Sequence, residues 1–347
     1  MAESGPLAEV PPHQLPAPAG TGHDLRSLSS HLQRELQMRW RDQPGSLAES
    51  CHYALMPPGK LFRPTLLLES ALAVGSTLES VLPAAVGAEC GHVASLVHDD
   101  IIDGDDMRRG RPSVHHQFGL DVAIVAGDAL IFDLFASLAE CRRTGVPADR
   151  VVAALEAVAR AGLDLCRGQL LEADICRERR IDVQSYLSMI SLKTAALFQG
   201  ACESGAILGG GSETQVAALG RFGQSLGLVF QIHDDLLPYV SDTVAMGKPQ
   251  TSDVRNGRIT LPVILGYQAA GEADASRLDE CLSGQGDTVA SFSELRDLLG
   301  RKGAIDAAMR LAAEHAGRAG RALAELPPTP SRARLEDLIG RAAARSR

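Results

Sequence analysis

A helical repeat of apolar residues runs through most of the chain and limits the folds open to it. The repeat begins near Asp24, where Leu28, Leu32 and Leu36 recur at four-residue spacing, and it returns in "YLSMISLKTAALFQGACESGAIL" and "VAALGRFGQSLGLVFQIHDDLL". Because residues four apart share one face of an α-helix, each repeat predicts a helix with one buried face. Runs with the two-residue alternation of a β-strand are missing from the sequence. The chain is therefore predicted to fold as an all-α bundle.

The breaks between the predicted helices are short and carry Gly or Pro, as in "MPPGK", "TGVP" and "SGQGD". None of them is long enough to link two domains, so we expect one all-α domain over residues 24–326. Residues 1–23 are rich in Pro, Ala and Gly and are expected to be disordered. Residues 327–347 form an Arg-rich C-terminal tail, which the sequence leaves as either a short helix or a loose segment.

Charge and composition exclude several functional classes. The 347 residues carry a net charge of −9, which makes the chain a poor general partner for nucleic acid or an anionic membrane. Seven cysteines without a CxxC pair indicate reduced thiols. The longest nearly apolar run, Leu82–Val97, is interrupted by Glu89 and His92, so we interpret it as too short and too polar to span a bilayer. The N-terminus lacks the pattern of a signal peptide. We expect a cytoplasmic protein without a stable membrane anchor.

An acidic cluster ends the apolar stretch "GHVASLVHDDIID". Asp99 and Asp103 are four residues apart, so on a helix their carboxylates lie side by side and repel each other unless a cation lies between them. Mg²⁺ takes one or two carboxylates and leaves its other positions to water and substrate phosphate. The cluster therefore predicts a magnesium–phosphate site, with a solvated acidic helix end as the alternative.

A second acidic cluster follows a similar apolar stretch, "GLVFQIHDD", and departs from the first after one helical turn. Asp234 and Asp235 are present, but Pro238 stands where a third carboxylate would be. Proline cannot bind a metal and disfavours helix at Leu237, so we expect the helix to kink or end there. The common form of the two clusters indicates two helices that face each other across a cavity.

Basic residues lie directly after the first acidic cluster and near the helix breaks. Arg108, Arg109 and Arg111 form either a surface ion-pair patch or a site for the remaining oxygens of a metal-bound polyanion. His92 lies two turns before Asp99 on the same face and is either structural or a phosphate ligand. Five further basic candidates lie in "PPGKLFRP", "SLKTAALF" and "GKPQTSDVRNGR": Lys60, Arg63, Lys193, Lys248 and Arg258.

Seven motifs in this order resemble those of the trans-polyprenyl diphosphate synthases, the family of farnesyl and geranylgeranyl diphosphate synthases. They are "GKLFRP", "GHVASLVHDDIIDGDDMRRGRPSVH", "AGDAL", "GQLLEAD", "KTAALF", "GLVFQIHDDLL" and "GKPQTSDVRNGRITLP", within about residues 50–265. The resemblance implies an isoprenoid-synthase-type helical bundle with a central cavity between two Asp-rich helices. It implies a homodimeric enzyme that ionises an allylic diphosphate and joins the cation to isopentenyl diphosphate (1'-4, trans), with three Mg²⁺ ions per active site.

The resemblance also implies roles for the motif residues. The metal ligands are Asp99, Asp100, Asp103, Asp234 and Asp235. The isopentenyl diphosphate ligands are Lys60, Arg63, His92 and Arg109. The allylic diphosphate ligands are Arg108, Lys193, Lys248 and Arg258. The catalytic residues near the developing charge are Lys193, Thr194, Gln231 and Lys248.

The chain departs from the family pattern at three positions. Leu61 replaces the middle arginine of the usual GKRxRP motif, which predicts weaker binding of isopentenyl diphosphate. Arg258 stands where lysine is commoner, so the charge is the same but the geometry of its contacts differs. Pro238 replaces the last aspartate of the second motif.

Product length in the resembled family depends on side-chain bulk just before the first acidic motif. The chain-length candidates are Gly91, Ala94, Ser95, Phe132 and Phe135. Gly87, Gly91 and Ser95 form a row of small residues on the helical face of Asp99, and they indicate either an open cavity or close helix packing. If they line a cavity, the expected product is geranylgeranyl diphosphate, with a phenylalanine on a later helix as its floor. Farnesyl diphosphate and longer products remain alternatives.

Two further functions remain open at this stage. One is a terpene cyclase on the same fold, although the single asparagine, Asn256, does not begin the metal motif usual in cyclases. The other is a non-catalytic regulatory subunit of a synthase. Such subunits tend to lose acidic and basic residues of the first motif, and this chain has Asp99, Asp103, Arg108 and Arg109.

Overall fold

The computed structural model describes residues 25–41, 43–240, 259–283 and 287–343, and helices account for most of them. The prediction of an all-α fold is confirmed, and within the described residues the only sheet is a two-stranded hairpin. The elements are α1 (Leu25–Arg39), α2 (Ser46–Leu55), α3 (Phe62–Ala73), α4 (Leu78–Asp103), β1 (Met107–Arg108), β2 (Arg111–Pro112), α5 (Val114–Phe118), α6 (Leu120–Glu140), α7 (Ala148–Glu178), α8 (Val183–Ile190), a π-helical turn (Ser191–Ala195), α9 (Ala196–Gly209), α10 (Glu213–Val240), α11 (Leu261–Ala269), α12 (Glu272–Leu282), α13 (Thr288–Arg301), α14 (Ala304–Ala324) and α15 (Pro330–Ala343).

The core forms where the long helices pack against one another. Helix α4 packs between α3 and α6, α9 contacts α3, α7 and α10, and α10 lies along α14. Leu66, Phe198 and Phe222 are fully buried at these contacts. Each such side chain contributes about 1.5–3 kcal/mol on burial. The arrangement places the C-terminal end of α4 and the C-terminal half of α10 in one bundle with the π-helical turn.

Most of the Arg-rich C-terminal segment is helical, because α15 covers Pro330–Ala343. Helix α15 buries Leu335 and Leu338 against the core. Its Arg334 donates two hydrogen bonds to Glu69 of α3, with Nε–Oε1 and Nη2–Oε2 distances of 2.6 and 2.9 Å. Because Glu69 is only 1% exposed, this ion pair fixes α15 to the helix that carries Arg63.

In the part of the chain that the structure describes, two helices are long and apolar enough to cross a membrane by length and composition alone, namely α4 and α6. Helix α4 contains the run Leu82–Val97, and the full helix is longer than the sequence pattern suggested. Most of its apolar window is buried inside the bundle, which identifies a core helix. Helix α6 packs one face on α4 and leaves an apolar row exposed on the other: Leu120, Ile124, Val125 and Phe132.

None of the seven cysteines is in a disulfide, and Cys166 and Cys176 are exposed. The predictions for residues 1–23, Lys248 and Arg258 concern positions outside the residues that the structure describes.

Candidate active site

Helix α4 has three aspartates in its last five residues: Asp99, Asp100 and Asp103. Asp99 is half-buried and Asp103 is the final helical residue, before Gly104 closes the helix in the left-handed conformation at φ 64°. The C-terminal end of a helix carries partial negative charge, so carboxylates there are disfavoured unless a cation is nearby. Burial raises the pKa of Asp99, while Lys193 and Arg108 lower it and Asp103 and Glu172 raise it further. The carboxylates of this turn therefore lie near two cationic side chains, Lys193 and Arg108.

Lys193 reaches this acidic turn from the π-helical turn between α8 and α9. Its Nζ lies 2.5 Å from Oε2 of Glu172 on α7. Gly168, one turn before Glu172, allows α7 and the π-helical turn to approach closely, because a Cβ on Gly168 would lie 2.6 Å from the Lys193 Cα. π-Helical turns are rare and are frequent at functional sites. Glu172 is a site residue that the motif "GQLLEAD" contained and sequence reasoning did not single out.

The second acidic motif lies inside α10, and its side chains are hydrogen-bonded to two other elements. Asp235 accepts hydrogen bonds from Tyr186 of α8 at 2.6 Å and from Gln231 at 2.9 Å. The Gln231 side-chain carbonyl in turn accepts a hydrogen bond from Thr194 of the π-helical turn at 2.8 Å. The structure thus brings together three candidate site residues, Thr194, Gln231 and Asp235, and adds Tyr186.

Helix α10 continues through Pro238 to Val240, so the expectation that the helix could end at this proline is wrong. Leu236 is fully buried and Tyr239 is 5% exposed, and Tyr239 stacks on Phe292 of α13. This packing holds the last helical turn in place. Asp234 therefore lies in regular helix, one turn before the proline.

The basic segment after the first acidic motif is a tight hairpin. Arg109 and Gly110 form its turn with φ of 53° and 76°, the left-handed values of a type I′ turn. The turn places Arg108 against Asp100, with its Nε 2.7 and 2.9 Å from the two carboxylate oxygens. Asp100 is 2% exposed, so this ion pair is largely removed from solvent.

The other two arginines of the hairpin contact the start of the bundle. Arg109 donates to the Pro57 carbonyl at 2.9 Å, and Arg111 donates to the Tyr53 carbonyl and lies over the Tyr53 ring at 4.0 Å. Arg111 therefore has a structural role that the sequence did not predict.

Two of the residues predicted to bind isopentenyl diphosphate, Arg63 and Arg109, lie near a third, His92. Burial, together with the charges of Arg63, Arg109 and Arg108, holds the pKa of His92 well below its ordinary value. Glu89, one turn earlier, is 1% exposed. Burial raises the pKa of Glu89, and Arg63 and Arg109 lower it. Glu89 is thus a buried counter-charge for this basic cluster, which sequence reasoning missed.

Lys60 and Leu61 begin the first basic motif. Lys60 is exposed, whereas Leu61 is 3% exposed and adopts a left-handed φ of 53°. A non-glycine residue in this conformation costs about 1–2 kcal/mol. Its burial in the core offsets that cost, so the position that usually carries arginine contributes packing here and no charge.

The chain-length candidates separate into two groups. A Cβ on Gly91 would lie 2.7 Å from a methyl carbon of Leu134, and one on Gly87 would lie 2.7 Å from Ser137, both on α6. Of the two interpretations of the small-residue row, the structure supports close helix packing for these two glycines.

The other candidates lie in different surroundings. Ala94 is fully buried, and the Ser95 hydroxyl donates to the His92 carbonyl at 2.8 Å. Phe135 is half-buried, whereas Phe132 is 72% exposed on the outer face of α6. Phe132 therefore does not close an interior cavity within a single chain.

The carboxylates on α4 and α10 are suited to a cation whose remaining ligands come from the substrate. Within the described residues, no three His, Cys, Asp or Glu side chains converge closely enough to hold a metal ion by themselves. Mg²⁺ usually takes only one or two protein carboxylates and uses phosphate and water for the rest. The two carboxylates of Asp99 and Asp103, next to Lys193 and Arg108, fit that requirement.

Comparisons with known proteins identify the family to which the chain belongs. The polyprenyl synthetase family model matches residues 44–299. A short chain isoprenyl diphosphate synthase of Methanothermobacter thermautotrophicus is 40% identical over 274 residues, covering 78% of this chain and 82% of the relative. A geranylgeranyl diphosphate synthase of Methanosarcina mazei is 35% identical, covering 72% and 77%. The crystal structure of geranylgeranyl pyrophosphate synthetase from Pyrococcus horikoshii matches with a TM-score of 0.84 at 34% identity, covering 91% of this chain and 96% of that chain. The chain therefore belongs to the polyprenyl synthetase family.

Proposed function

We propose that this chain is a Mg²⁺-dependent trans-prenyltransferase that condenses isopentenyl diphosphate with an allylic diphosphate to give geranylgeranyl diphosphate. Family membership supports the reaction class. The observation that carries the proposal is the meeting of the Asp99–Asp103 turn with Lys193 and Arg108 at the end of α4. Carboxylates for a metal and cations for a polyanion thus share one site, which is what ionisation of a diphosphate ester requires.

Asp99, Asp103 and Asp234 would hold Mg²⁺ together with the allylic diphosphate, with three ions per site as the number that the family resemblance implies. When bound, Mg²⁺ neutralises the charge that develops on the departing diphosphate. Lys193 contributes a further positive charge, and its contact with Glu172 holds the ammonium beside the acidic turn before substrate binds. Lys248 and Arg258 are assigned as ligands of the allylic diphosphate by resemblance alone.

Asp100 and Asp235 have supporting roles in this proposal. Asp100 is buried and binds Arg108 through both oxygens, so it directs that guanidinium toward the allylic diphosphate. Both oxygens of Asp235 accept hydrogen bonds from neighbouring side chains. The oxygens of these two carboxylates are already hydrogen-bonded to protein side chains, so we assign the metal-ligand role in the second motif to Asp234.

Isopentenyl diphosphate binds at the basic cluster of Lys60, Arg63, His92 and Arg109. The depressed pKa of His92 makes its ring neutral at pH 7, so the ring binds phosphate by hydrogen bonding rather than by charge. With Leu61 in place of a cation, the guanidiniums of Arg63 and Arg109 carry more of the binding energy. Replacing Leu61 with arginine should therefore lower the KM for isopentenyl diphosphate without changing the KM for the allylic substrate, and it should also destabilise the fold, because Leu61 is 3% exposed in the core.

The proposed product is geranylgeranyl diphosphate, and farnesyl and longer diphosphates are the alternatives. Relatives named as geranylgeranyl and geranylfarnesyl diphosphate synthases are both similar to this chain. Because Gly91 packs against α6, the position that best controls length is Ser95, one turn before Asp99 on the same face. Ser95→Phe should shorten the product, whereas Ala94→Phe at a fully buried position should mainly destabilise the fold.

We also propose that the chain works as a cytoplasmic homodimer through the exposed apolar face of α6. Leu120, Ile124, Val125 and Phe132 on this face are each more than 40% exposed, and α7 adds Leu163 and Leu170 at 57% and 70%. An apolar surface of this kind is typical of an interface. Sedimentation should show a dimer for the wild type and a monomer for Val125→Glu/Phe132→Glu. A monomeric wild type would contradict the proposal.

The reaction is tested by incubating purified protein with Mg²⁺, isopentenyl diphosphate and one allylic diphosphate at a time, with the products dephosphorylated and sized. Elongation to twenty carbons is expected, and it should be lost in Asp99→Asn and in Lys193→Gln. Lack of elongation with every allylic substrate would overturn the reaction class. A different product length would correct only the product.

A further inference from the structure

A chain of four hydrogen-bonded side chains links α8, α10 and the π-helical turn. Tyr186 donates to Asp235, Gln231 donates to the other oxygen of Asp235, and Thr194 donates to Gln231. Tyr186 is 2% exposed and Thr194 is 9% exposed, so the two ends of the chain are sheltered from water. A buried hydrogen-bond chain of this kind has a fixed direction when one member can only accept.

Asp235 is that member. Both of its oxygens accept in this chain, and the Gln231 atom that faces it is the amide nitrogen, Nε2, at 2.9 Å. The Gln231 carbonyl oxygen then faces Thr194 and must receive the threonine proton. The hydroxyl proton of Thr194 is therefore committed to Gln231, and the lone pairs of its oxygen point away from Gln231.

Tyr186 supports this direction from the other side of Asp235. The hydroxyl of this 2% exposed residue donates to Oδ2 of Asp235 at 2.6 Å, while Gln231 occupies Oδ1. Asp235 thus remains the acceptor that fixes the orientation of Gln231.

We propose that Tyr186 and Asp235 are positioning residues that fix the Thr194 hydroxyl with its lone pairs toward the reacting carbon. The inference rests on the proposed function, because it assumes that Thr194 faces the allylic cation. Oxygen lone pairs stabilise a developing positive charge, whereas an O–H directed at the same carbon would oppose it. The direction of the hydrogen-bond chain therefore affects the rate of ionisation and leaves the binding affinity for either substrate nearly unchanged.

The kinetic test uses Tyr186→Phe, which removes only the phenol oxygen, and Tyr267→Phe as a matched control. Tyr267 also donates to an aspartate, Asp279, at 2.8 Å, but this pair is exposed and lies outside the chain of four. Tyr186→Phe should lower kcat about tenfold and leave both KM values within about twofold, as expected for an interaction made in the transition state. Tyr267→Phe should match the wild type.

Asp235→Asn gives a stronger version of the test. An asparagine can present its NH₂ to Gln231, which lets the Gln231 amide reverse and forces the Thr194 proton toward the substrate. We expect a loss in kcat of roughly 100-fold, the scale seen when one oriented dipole is lost from an active site. The Mg²⁺ concentration for half-maximal rate should not change. A large change in that concentration would overturn the positioning role and make Asp235 a metal ligand.

A double-mutant cycle separates positioning from a general structural effect. In a Thr194→Val background the hydroxyl is absent, so Tyr186→Phe should lower kcat by less than about twofold further. An undiminished tenfold loss in that background would show that Tyr186 does not act through Thr194.

The same cycle in ligand-free protein does not depend on activity. The urea midpoints of Tyr186→Phe and Thr194→Val should shift less together than the sum of their separate shifts, because either change breaks the same chain. Tyr267→Phe and Thr194→Val should be additive. Additive shifts for Tyr186 and Thr194 would overturn the inference. If wild type elongates no substrate, the proposed function fails, and the unfolding cycle still decides whether the chain of four exists.

Discussion

Gly168 on α7 provides the sharpest test of how the fold positions Lys193. A Cβ at this position would lie 2.6 Å from the Lys193 Cα and 2.8 Å from the Leu192 carbonyl carbon. Both atoms belong to the backbone, so no side-chain rotation relieves the overlap. Carbon atoms at van der Waals contact are about 3.5–4.0 Å apart, so Gly168→Ala must separate α7 from the π-helical turn by about 1 Å.

The expected effect on activity is larger than the effect on stability. Overpacking costs about 1–3 kcal/mol, and the helix preference of alanine over glycine returns about 1 kcal/mol, so the net destabilisation is at most about 2 kcal/mol. A displacement of about 1 Å at a catalytic group can lower the rate by about 100-fold. The separation also lengthens the contact between Lys193 and Glu172, since Glu172 follows Gly168 by one turn.

Gly162 on the same helix is the matched control, because a Cβ there meets no atom within 4 Å. Gly162→Ala should stabilise the protein by about 0.5–1 kcal/mol with activity unchanged. Urea unfolding and steady-state condensation rates should be measured for both variants. Equal rates for the two variants would refute the argument that close backbone approach at Gly168 positions Lys193.

Three further changes test other parts of the structure. Arg334→Leu should destabilise the fold by about 3–5 kcal/mol, because it leaves the Glu69 carboxylate buried without its partner. Urea unfolding should show that the double variant Arg334→Leu/Glu69→Leu recovers most of this loss, and an equally unstable double variant would contradict the reasoning. Pro238→Asp should lower the Mg²⁺ concentration for half-maximal rate several-fold, since an aspartate there lies one helical turn after Asp234; identical titrations would show that the missing carboxylate is not needed. The free energy of unfolding should fall as pH drops below about 6.5, the ordinary pKa of histidine. Burial holds the pKa of His315 below that value, so the unfolded chain takes up the proton first. His315→Leu should flatten this fall, and parallel stability–pH curves would contradict the assignment.

Helix periodicity predicted the fold well because it depends on residues that are close in sequence. Leu28, Leu32 and Leu36 are all buried, as their four-residue spacing requires. The acidic turn of Asp99 and Asp103 follows from the same geometry. These features need only the pitch of one helix, so the sequence contains all the information that specifies them.

The pairings that complete the site depend on how helices pack, and local pattern does not contain them. Glu172 and Lys193 are 21 residues apart, and Tyr186 and Asp235 are 49 apart. The buried pair of Glu69 and Arg334 spans 265 residues. A short-range pattern cannot show which of several carboxylates faces a given cation, so these partners were found only in the structure.

Small residues were ambiguous for a different reason. A glycine or alanine row fits both a cavity wall and a close helix contact, because each requires only the absence of a side chain. The structure separates the two interpretations at Gly87 and Gly91, whose missing side chains are replaced by Ser137 and Leu134 of α6. The hairpin of Arg109 and Gly110 did carry a local signal, since a glycine at the second position of a two-residue turn favours positive φ.

Pro238 shows how packing overrides a strong local preference. A proline inside a helix costs about 3 kcal/mol, partly because residue 234 loses the N–H of residue 238 as its helical partner. The buried side chains on either side, Leu236 and Tyr239, contribute about 1.5–3 kcal/mol each. Tyr239 also stacks on Phe292 of α13, with ring centroids 5.7 Å apart and an interplanar angle of 23°. Their combined contribution equals or exceeds the cost of the proline, so the helix persists to Val240. The position of the second acidic motif therefore depends on contact with the C-terminal helices rather than on the helix preference of its own sequence.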